Sequence, residues 1–353
     1  MQKIVTAALA AALIGGAWHH FSVTRGNFVI ADQGAFTAGG KVLRHEGTYK
    51  GPYSPDGQTF HGDHAYVFWQ KPYGARKYPL VFVHGIGQFS KTWKTTPDGR
   101  DGFQNIFLKK RFAVYLVDQA RRGRAGRGTD KAVIEPVFDE QLWFDRFRIG
   151  TYPDYFKGVQ FKRGRETLDR FFRQMTPNVG KQDFNVYADA YAAVLEKTGD
   201  AILVTHSQGG AVGWLTARET DKIKAIVSYE PGGSFPFVKS ENPTALKAES
   251  GQGETVEITE DEMRKYTRFP IVIYYGDNMP ADDTATPEQK RWRNRLEIAR
   301  KWADAVNKRG GDVTVVHLPD VGLRGNTHFP FSDLNNLDVA KLMSDWLHEK
   351  GLD

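Results

Sequence analysis

Short runs of consecutive apolar residues, many of them β-branched, recur along the chain from residue 80 onward. Polar residues do not alternate with the apolar ones inside these runs, which is typical of parallel strands buried on both faces. The runs are Leu80–His84, Ala113–Val117, Ala201–Thr205, Ala225–Tyr229, Ile271–Tyr275 and Val313–His317. We therefore expect these runs to form a mostly parallel central sheet.

Between several of these runs, apolar residues recur at spacings of three and four. The segments Phe184–Lys197, Glu288–Asn307 and Leu337–Leu347 have this spacing, which places apolar side chains on one face of a helix. Strands that alternate with helices indicate a doubly wound α/β fold with helices flanking the sheet. The preceding segment, Phe28–Tyr73, is rich in Gly, Thr and aromatic residues, and stretches such as Ala65–Gln70 predict short antiparallel strands.

One interval departs from this alternation of predicted strands and helices. About eighty residues separate Asp118 from the run that begins at Ala201, and a plain crossover needs far fewer. The interval is unusually aromatic, with Phe138, Trp143, Phe144, Phe147, Tyr152, Tyr155, Phe156, Phe161, Phe171 and Phe172. We expect an inserted cap at about residues 129–182, over the C-terminal edge of the sheet, in which these aromatic residues form a local core, line a pocket, or both.

The N-terminal residues predict export. Lys3 precedes an apolar run of about fourteen residues, and the small residues Gly15, Gly16 and Ala17 follow, which is the layout of a secretory signal peptide. The run is shorter than the ~20 residues of a membrane span, although an uncleaved N-terminal anchor is the alternative. We expect a signal peptide at residues 1–17, a single domain at residues 28–353 that is periplasmic or secreted, and no stable membrane insertion.

Composition excludes several classes of site. The 353 residues include no cysteine, which rules out a thiol nucleophile, a disulfide and a Cys-ligated metal. The 48 Lys and Arg residues outnumber the 42 Asp and Glu residues by six, which gives a net charge of +6. This excess is too small to indicate a phosphate-binding face. We interpret the arginine-rich segment Arg121–Gly128 as a structural or hinge loop, and we expect no nucleic-acid partner.

Ser207 has the sequence context of a nucleophile elbow. It lies in Thr205–Gly210 (THSQGG), between a predicted buried strand and the helical run Ala211–Arg218. A sharp strand–turn–helix lifts the serine hydroxyl above the sheet edge, where helix N–H groups stabilise developing negative charge. Thr205 departs from the usual G-x-S-x-G pattern at its first position. The alternative is an ordinary serine at a helix N-cap.

A second segment, His84–Gly87, follows the first strand of the parallel set. Hydrolases with a nucleophile elbow place an oxyanion-hole loop at this point, where backbone N–H groups cradle the tetrahedral intermediate. The candidate donors are the N–H groups of Ile86 and Gln208. We interpret His84 itself as a structural histidine that fixes the turn.

The candidate base is His328, which lies between the last predicted strand and the C-terminal helix. This position gives the chain order Ser, acid, His of the α/β-hydrolases. His317, at a strand end, is the rival. The candidate acids are Glu230 and Asp277, each at the end of a predicted strand, and position alone does not separate them. For both, a turn, cap or ion-pair role is the alternative.

Five longer segments occur in order from about Tyr78 to the C-terminus. They are HGIGQFSKTWKTTPDGRDGF (His84–Phe103), VDQARRGRAGRG (Val117–Gly128), THSQGG (Thr205–Gly210), IVSYEPGG (Ile226–Gly233) and GNTHFPFSDLNNLDVAKLMSDWL (Gly325–Leu347). Together they resemble the atypical secreted bacterial α/β-hydrolase esterase family, of the Alcaligenes esterase type. The resemblance implies an α/β-hydrolase fold, and it favours Glu230 over Asp277 as the acid because that family uses a Glu at the matching position.

The resemblance also places oxyanion donors at Ile86 and Gln208. The family type carries adjacent cysteines after the His-Gly of this loop, whereas this chain has Ile86 and Gly87. Because the donors are backbone N–H groups, the chemistry can survive that change, but the loop must be held by packing and hydrogen bonds.

These observations predict a serine carboxylic-ester hydrolase that forms an acyl-enzyme on Ser207, with His328 as base and Glu230 as acid. We expect no metal, no organic cofactor, and a small-molecule ester substrate with an apolar or aromatic group. A homodimer is compatible with this hypothesis. A lactonase or amidase with the same triad is the alternative, followed by a non-catalytic binding protein with a hydrolase fold.

Overall fold

The computed structural model describes residues 29–243, 254–282 and 284–353. The predicted signal peptide, residues 1–17, lies outside the described residues. The strands are β1 (Ile30–Arg44), β2 (Thr59–Pro72), β3 (Leu80–Val83), β4 (Val114–Asp118), β5 (Gly150–Thr151), β6 (Asp154–Tyr155), β7 (Ala201–His206), β8 (Ile223–Tyr229), β9 (Phe235–Val238), β10 (Thr255–Ile258), β11 (Ile271–Tyr275) and β12 (Val313–His317). The α-helices are α1 (Phe103–Lys109), α2 (Glu140–Arg146), α3 (Arg165–Phe172), α4 (Phe184–Thr198), α5 (Gln208–Glu219), α6 (Glu260–Arg264), α7 (Pro287–Asn307) and α8 (Asn336–Glu349).

One mixed sheet contains eight strands, in the order β1-β2-β4-β3-β7-β8-β11-β12. β2 runs antiparallel to β1 and β4, and every later pair of neighbours is parallel. The six parallel strands coincide with the six apolar runs, with ends that differ by at most two residues. The predicted doubly wound α/β-hydrolase architecture is therefore confirmed.

Side chains of the parallel strands alternate between two apolar cores. Val81 and Val83 belong to a core that includes residues of α4, α5 and α7. Leu80 and Phe82 belong to a second core, with residues of α1 and α8. Because helices cover both faces, most positions of these strands are apolar whichever way the side chain points, which explains why the runs lack alternation.

The two N-terminal strands are longer than the sequence predicts, with 15 residues in β1 and 14 in β2. β1 is an edge strand, and among its 15 residues Ala38 alone is buried, so it carries little of the apolar pattern that marks a strand. Its Gly39 has a φ of 70° and lies so close to α4 that an added Cβ would come within 2.9 Å of the Cα of Ala190. The glycine that weakens the strand signal therefore permits the helix to approach.

The chain between β4 and β7 contains α2, β5, β6, α3 and α4, and it includes residues 129–182, the predicted cap. Its aromatic residues pack on one another: Phe171 contacts Phe147 and Phe161 edge-to-face, with ring centroids 5.9 Å and 5.5 Å away. Phe147 also contacts Phe329, at 4.9 Å. The segment is therefore packed against the loop that follows β12.

No helix within the described ranges is both long enough and apolar enough to cross a lipid bilayer.

Candidate active site

The four candidate triad residues follow four different strands. Ser207 comes directly after β7, Glu230 after β8, Asp277 near the end of β11, and His328 in the loop between β12 and α8. The carboxyl ends of parallel strands meet at one edge of the sheet. Ser207 and His328 accordingly line the same cavity, and His328 contacts Glu230.

Ser207 has strained backbone geometry. Its φ of 53° and ψ of −121° lie in a region that residues with a side chain rarely adopt. The surrounding chain holds this conformation, because the Ser207 N–H donates to the Tyr229 carbonyl at 3.0 Å and the Ser207 carbonyl accepts the Gly232 N–H at 2.9 Å. This is the sharp strand-to-helix turn that a nucleophile elbow requires.

Two glycines allow the candidate oxyanion loop to approach the turn. A Cβ at Gly85 would lie 2.7 Å from the Cβ of Ser207, and a Cβ at Gly209 would lie 2.7 Å from the carbonyl oxygen of His84. Both distances are too short for any side chain. The loop and the N-terminus of α5 are therefore in direct backbone contact.

Two hydrogen bonds to the Gly85 carbonyl oxygen hold the peptide group between Gly85 and Ile86 in place. The Gly85 oxygen accepts hydrogen bonds from His84 Nδ1 at 2.9 Å and from Arg122 Nη1 at 3.1 Å. The oxygen and the Ile86 N–H belong to one peptide group, so donors on the oxygen polarise the N–H and make it a stronger donor. These contacts hold the loop where the related family has cysteines.

Arg122 is a site residue that sequence reasoning did not identify. Its side chain is 1% exposed, and Nη1 also donates to the Gln208 side-chain oxygen at 2.7 Å. Its Nε and Nη2 have no hydrogen-bond partner in the described part of the chain. Burial lowers the pKa of Arg122, but an arginine keeps its charge in proteins. The sequence signal for it is the arginine-rich segment Arg121–Gly128, which by its pattern alone is interpreted as a structural or hinge loop.

His84 has two buried backbone contacts. Besides the bond from Nδ1 to Gly85, its Nε2 accepts the Gln119 N–H at 3.1 Å. Burial and the nearby charge of Arg122 lower its pKa to about 4, so the ring is neutral, as this pattern of one donor and one acceptor requires. The contacts agree with a structural role for His84.

His328 and Glu230 form a buried hydrogen-bonded pair, with Nδ1 and Oε2 3.1 Å apart. Burial lowers the pKa of His328 to about 4, against the opposing effect of Glu230. At neutral pH the ring is therefore neutral. With Nδ1–H donating to Glu230, its Nε2 is left as a proton acceptor.

Glu230 is ionised although it is fully buried. Burial alone would raise its pKa, but the charge of Arg148 and the hydrogen bond and charge of His328 lower it to about 2. The second carboxylate oxygen accepts from Arg148 Nη2 at 2.5 Å and also from the Gly276 N–H. Both oxygens of the candidate acid therefore have partners.

Arg148 is the second site residue that sequence reasoning missed. It is fully buried, and its Nε donates to the backbone carbonyl of Asp277 at 2.8 Å. It comes from the inserted segment, 82 residues before Glu230 in the chain. No pattern in the sequence distinguishes it from its neighbour Arg146.

Asp277, the alternative acid, has other partners. Its Oδ2 accepts the Gly325 N–H at 2.7 Å, and its Oδ1 accepts the Asn278 N–H at 2.7 Å. It thus ties the loop that carries His328 to the end of β11, as a turn-forming Asp does. The rival base, His317, contacts Asp320 at 3.3 Å and is not among the residues that line the cavity with Ser207.

Aromatic rings and backbone contacts fix the His328 imidazole. Phe147 stacks on it with centroids 5.3 Å apart and planes at 8°, and Trp292 contacts it at 4.2 Å. The His328 N–H donates to the Phe147 carbonyl at 2.9 Å, and His206 Nε2 bonds to the His328 carbonyl at 2.8 Å. His206 therefore points to the backbone of the candidate base rather than toward substrate.

The cavity with Ser207 and His328 has a volume of about 370 Å³. Its apolar walls are Ile86, Trp143, Phe147, Phe184, Ala211 and Trp292. A groove of about 790 Å³ adjoins it, shares Ile86, Trp143 and Gln182, and is lined by Val133, Ile134, Pro136 and Val137 of the inserted segment. Among the contacts of the described residues there is no direct hydrogen bond between Ser207 and His328, although both face this space.

No group of three or more His, Asp or Glu residues in the described ranges is arranged to hold a metal ion.

Comparisons with known proteins identify a family and relatives of this chain. Residues 80–320 match the Alpha/beta hydrolase family. The chain is 27% identical over 304 residues to a probable secreted lipase, phiG, of Fungal sp. (strain ATCC 74256), an alignment that covers 77% of this chain and 82% of that one. A solved structure of a novel bacterial esterase superposes with a TM-score of 0.74 at 28% identity, and covers 92% of this chain and 97% of that one.

Proposed function

This chain belongs to the α/β hydrolase family, and from that premise we propose that it is a serine carboxylic-ester hydrolase with Ser207 as nucleophile, His328 as base and Glu230 as acid. One observation carries the proposal. A serine in the strained turn after β7 faces the same cavity as a histidine whose other ring nitrogen is bonded to a buried, ionised glutamate. That the two relatives are described as an esterase and a lipase favours an ester over a lactone or an amide.

In the proposed mechanism, neutral His328 takes the Ser207 proton as the hydroxyl oxygen attacks the ester carbonyl. The carbonyl oxygen becomes an oxyanion bound by the N–H groups of Ile86 and Gln208. Glu230 stabilises the imidazolium and fixes the tautomer with a free Nε2. The imidazolium then protonates the leaving alcohol. A water that gives its proton to His328 hydrolyses the acyl-enzyme and regenerates Ser207.

The absence of a direct bond between Ser207 and His328 is compatible with this mechanism. Hydrogen bonds between a nucleophile and its base are often long or misaligned without substrate, and they shorten when substrate binds. The backbone contacts of His328 with Phe147 and His206 fix its position, so rotation of the Ser207 hydroxyl is the smaller adjustment.

The proposed substrate is a small ester with an apolar or aromatic group. The ring systems of Trp143, Phe184 and Trp292 line the cavity itself, and the adjoining groove adds aliphatic side chains. A site of this size and lining suits a small organic molecule.

We also propose that the protein is exported. The relative described as secreted and the signal-like residues 1–17 support this. N-terminal sequencing of the mature protein from the periplasm or the medium tests it, and an unprocessed chain that stays in the cytoplasm contradicts it.

Pre-steady-state hydrolysis of 4-nitrophenyl esters tests the proposed function. An acyl-enzyme releases the first equivalent of nitrophenol in a burst before the slower deacylation. We expect a burst of up to one equivalent per chain, and no burst with Ser207→Ala. The panel includes acyl groups of several lengths, lactones and anilides, so that faster turnover of a lactone or an amide identifies the alternative activity. Steady-state turnover by Ser207→Ala at the wild-type rate contradicts the proposal.

A further inference from the structure

Three arginine side chains line the cavity that contains Ser207 and His328. Arg146 is the last residue of α2, while Arg291 and Arg295 lie one turn apart on α7. Among the described residues that line this cavity, none is Asp or Glu. Two separate elements of the fold therefore bring only positive charge to the walls of the site.

Two glutamates outside the lining offset part of this charge. Glu254, which is 1% exposed, accepts two hydrogen bonds from Arg295, both 2.8 Å long. Glu288 accepts two from Arg146, both 3.1 Å long. In the described part of the chain, the ion pairs of these three guanidinium groups thus involve two carboxylates, and Arg291 shares Glu288 with Arg146.

Of the three guanidinium groups, that of Arg291 makes the fewest contacts with the described residues. Among the described residues, its side-chain contact is an ion pair of 3.4 Å between Nε and Glu288 Oε2, an oxygen that already accepts from Arg146. A guanidinium has five N–H donors in a planar fork that matches a carboxylate. With its side chain 38% exposed, Arg291 can bind an incoming carboxylate without breaking a hydrogen bond.

We propose that this cavity selects esters that carry a carboxylate group, with Arg291 as the direct contact and Arg146 and Arg295 supplying the surrounding positive potential. The proposal rests on the proposed function, because it names the substrate class of the same site. It also fits the mixed lining, in which aromatic walls hold the apolar part of the molecule and the arginines hold the charged end.

The positive potential of the wall extends to the reacting groups. Burial is the main reason for the low pKa of His328, and the charges of Arg148 and Arg295 lower it further. A substrate carboxylate near Arg295 would offset this effect, so the charged group and the scissile ester are electrostatically compatible with one site.

Two matched pairs of esters test the proposal and locate the carboxylate. In the first pair, mono-4-nitrophenyl adipate carries the charge in the acyl part, and 4-nitrophenyl hexanoate is its neutral counterpart. In the second pair, 4-carboxyphenyl butyrate carries it in the alcohol part, and 4-methylphenyl butyrate is neutral. The readout is the ratio of kcat/KM for the charged ester to that for its neutral counterpart, at low ionic strength.

We expect this ratio to exceed one for at least one pair. It should fall about tenfold in Arg291→Gln, because a charge-assisted hydrogen bond is lost, and it should fall for the wild type in about 0.5 M NaCl, where charges are screened. Arg293→Gln is the matched control. Arg293 lies on the same helix, is 35% exposed and forms a 3.4 Å ion pair with Glu297, but it does not line the cavity, so the ratio should not change.

The outcomes separate the two proposals. Hydrolysis of the neutral esters with a charged-to-neutral ratio of one or less in both pairs overturns the carboxylate proposal and leaves the proposed function intact. Hydrolysis of no ester, together with no acyl-enzyme burst, overturns both. A ratio that falls equally in Arg291→Gln and Arg293→Gln also overturns the carboxylate proposal, because the effect then comes from net charge rather than from a contact.

Discussion

Replacing Arg148 by Met removes the charge that keeps Glu230 ionised inside the protein. The two side chains are fully buried, and Nη2 lies 2.5 Å from Glu230 Oε1. The Met side chain fills most of the same volume but offers neither a positive charge nor a donor. Glu230 would then be a buried carboxylate with His328 and one backbone N–H as partners.

The size of the effect follows from the pKa of Glu230. Burial alone would raise the pKa of Glu230 above the ordinary 4.5, but its partners hold it at about 2. The difference between a pKa of 4.5 and one of about 2 corresponds to about 3 kcal/mol. Breaking a buried ion pair by removing one partner costs about 3–5 kcal/mol of folding stability. The low pKa of Glu230 stabilises the wild type above pH 4.5, and this contribution is lost as the pH falls toward 2. In Arg148→Met the pKa rises, so the stability gap to the wild type should be widest at neutral pH.

The assay is the pH dependence of kcat/KM, supported by denaturant unfolding. Arg148 also lowers the pKa of His328, so its removal raises the pKa of both members of the coupled pair. We expect the acid limb of the profile to move upward by about one pH unit or more. Arg121→Met is the matched control, since it breaks another buried pair, with Asp63 at 2.7 Å, and should cost stability without moving the limb. An acid limb that stays at the wild-type position in folded Arg148→Met would refute the reasoning.

Four further substitutions probe the other parts of the site. Gly85→Ala places a methyl group 2.7 Å from the Cβ of Ser207. We therefore expect kcat/KM to fall by more than about 100-fold, while circular dichroism shows an intact fold. Activity near that of the wild type would contradict the close contact. Arg122→Met leaves the Gly85 carbonyl with fewer donors, and kcat should fall about 10- to 100-fold with a smaller change in KM, whereas a change in KM alone would indicate a role in binding. Glu230→Gln should lower kcat by about 100-fold or more and Asp277→Asn by less than about tenfold, and the reverse order in steady-state assays would make Asp277 the acid.

The parallel strands could be predicted because each is covered on both faces. Ile271–Tyr275 is buried at every position, and Val313–His317 is apolar at every position except Thr314 and His317, so an apolar run marks each strand with its observed ends. β1 could not be predicted as one long strand, because an exposed edge strand is stabilised by backbone pairing with β2 and leaves no apolar pattern.

The site residues divide in a similar way. Ser207 and His328 could be nominated because a nucleophile elbow and the loop before the last helix have fixed places in the chain order of this fold. Arg148 and Arg122 could not, since their roles depend on contacts across 82 and 86 residues that the sequence does not record. Both are buried cations, and an arginine in a sequence usually indicates the protein surface.

The choice between Glu230 and Asp277 shows what local pattern leaves open. Both follow a parallel strand, and both reach the loop that carries His328. The side chain of Glu230 contacts the imidazole, while that of Asp277 is occupied by backbone N–H groups of two turns. Which carboxylate contacts His328 depends on whether the imidazole faces the end of β8 or the end of β11. Position along the chain does not specify that orientation.

Covalent labelling with a fluorophosphonate tests the central claim most directly, because the reagent phosphonylates an activated serine and forms a tetrahedral adduct in the oxyanion hole. Intact mass and peptide mapping should show one adduct per chain, on Ser207, formed much more slowly when Glu230 is replaced by Gln. Folded protein that takes up no label, or takes it up at another serine, would contradict the assignment of Ser207 as the nucleophile.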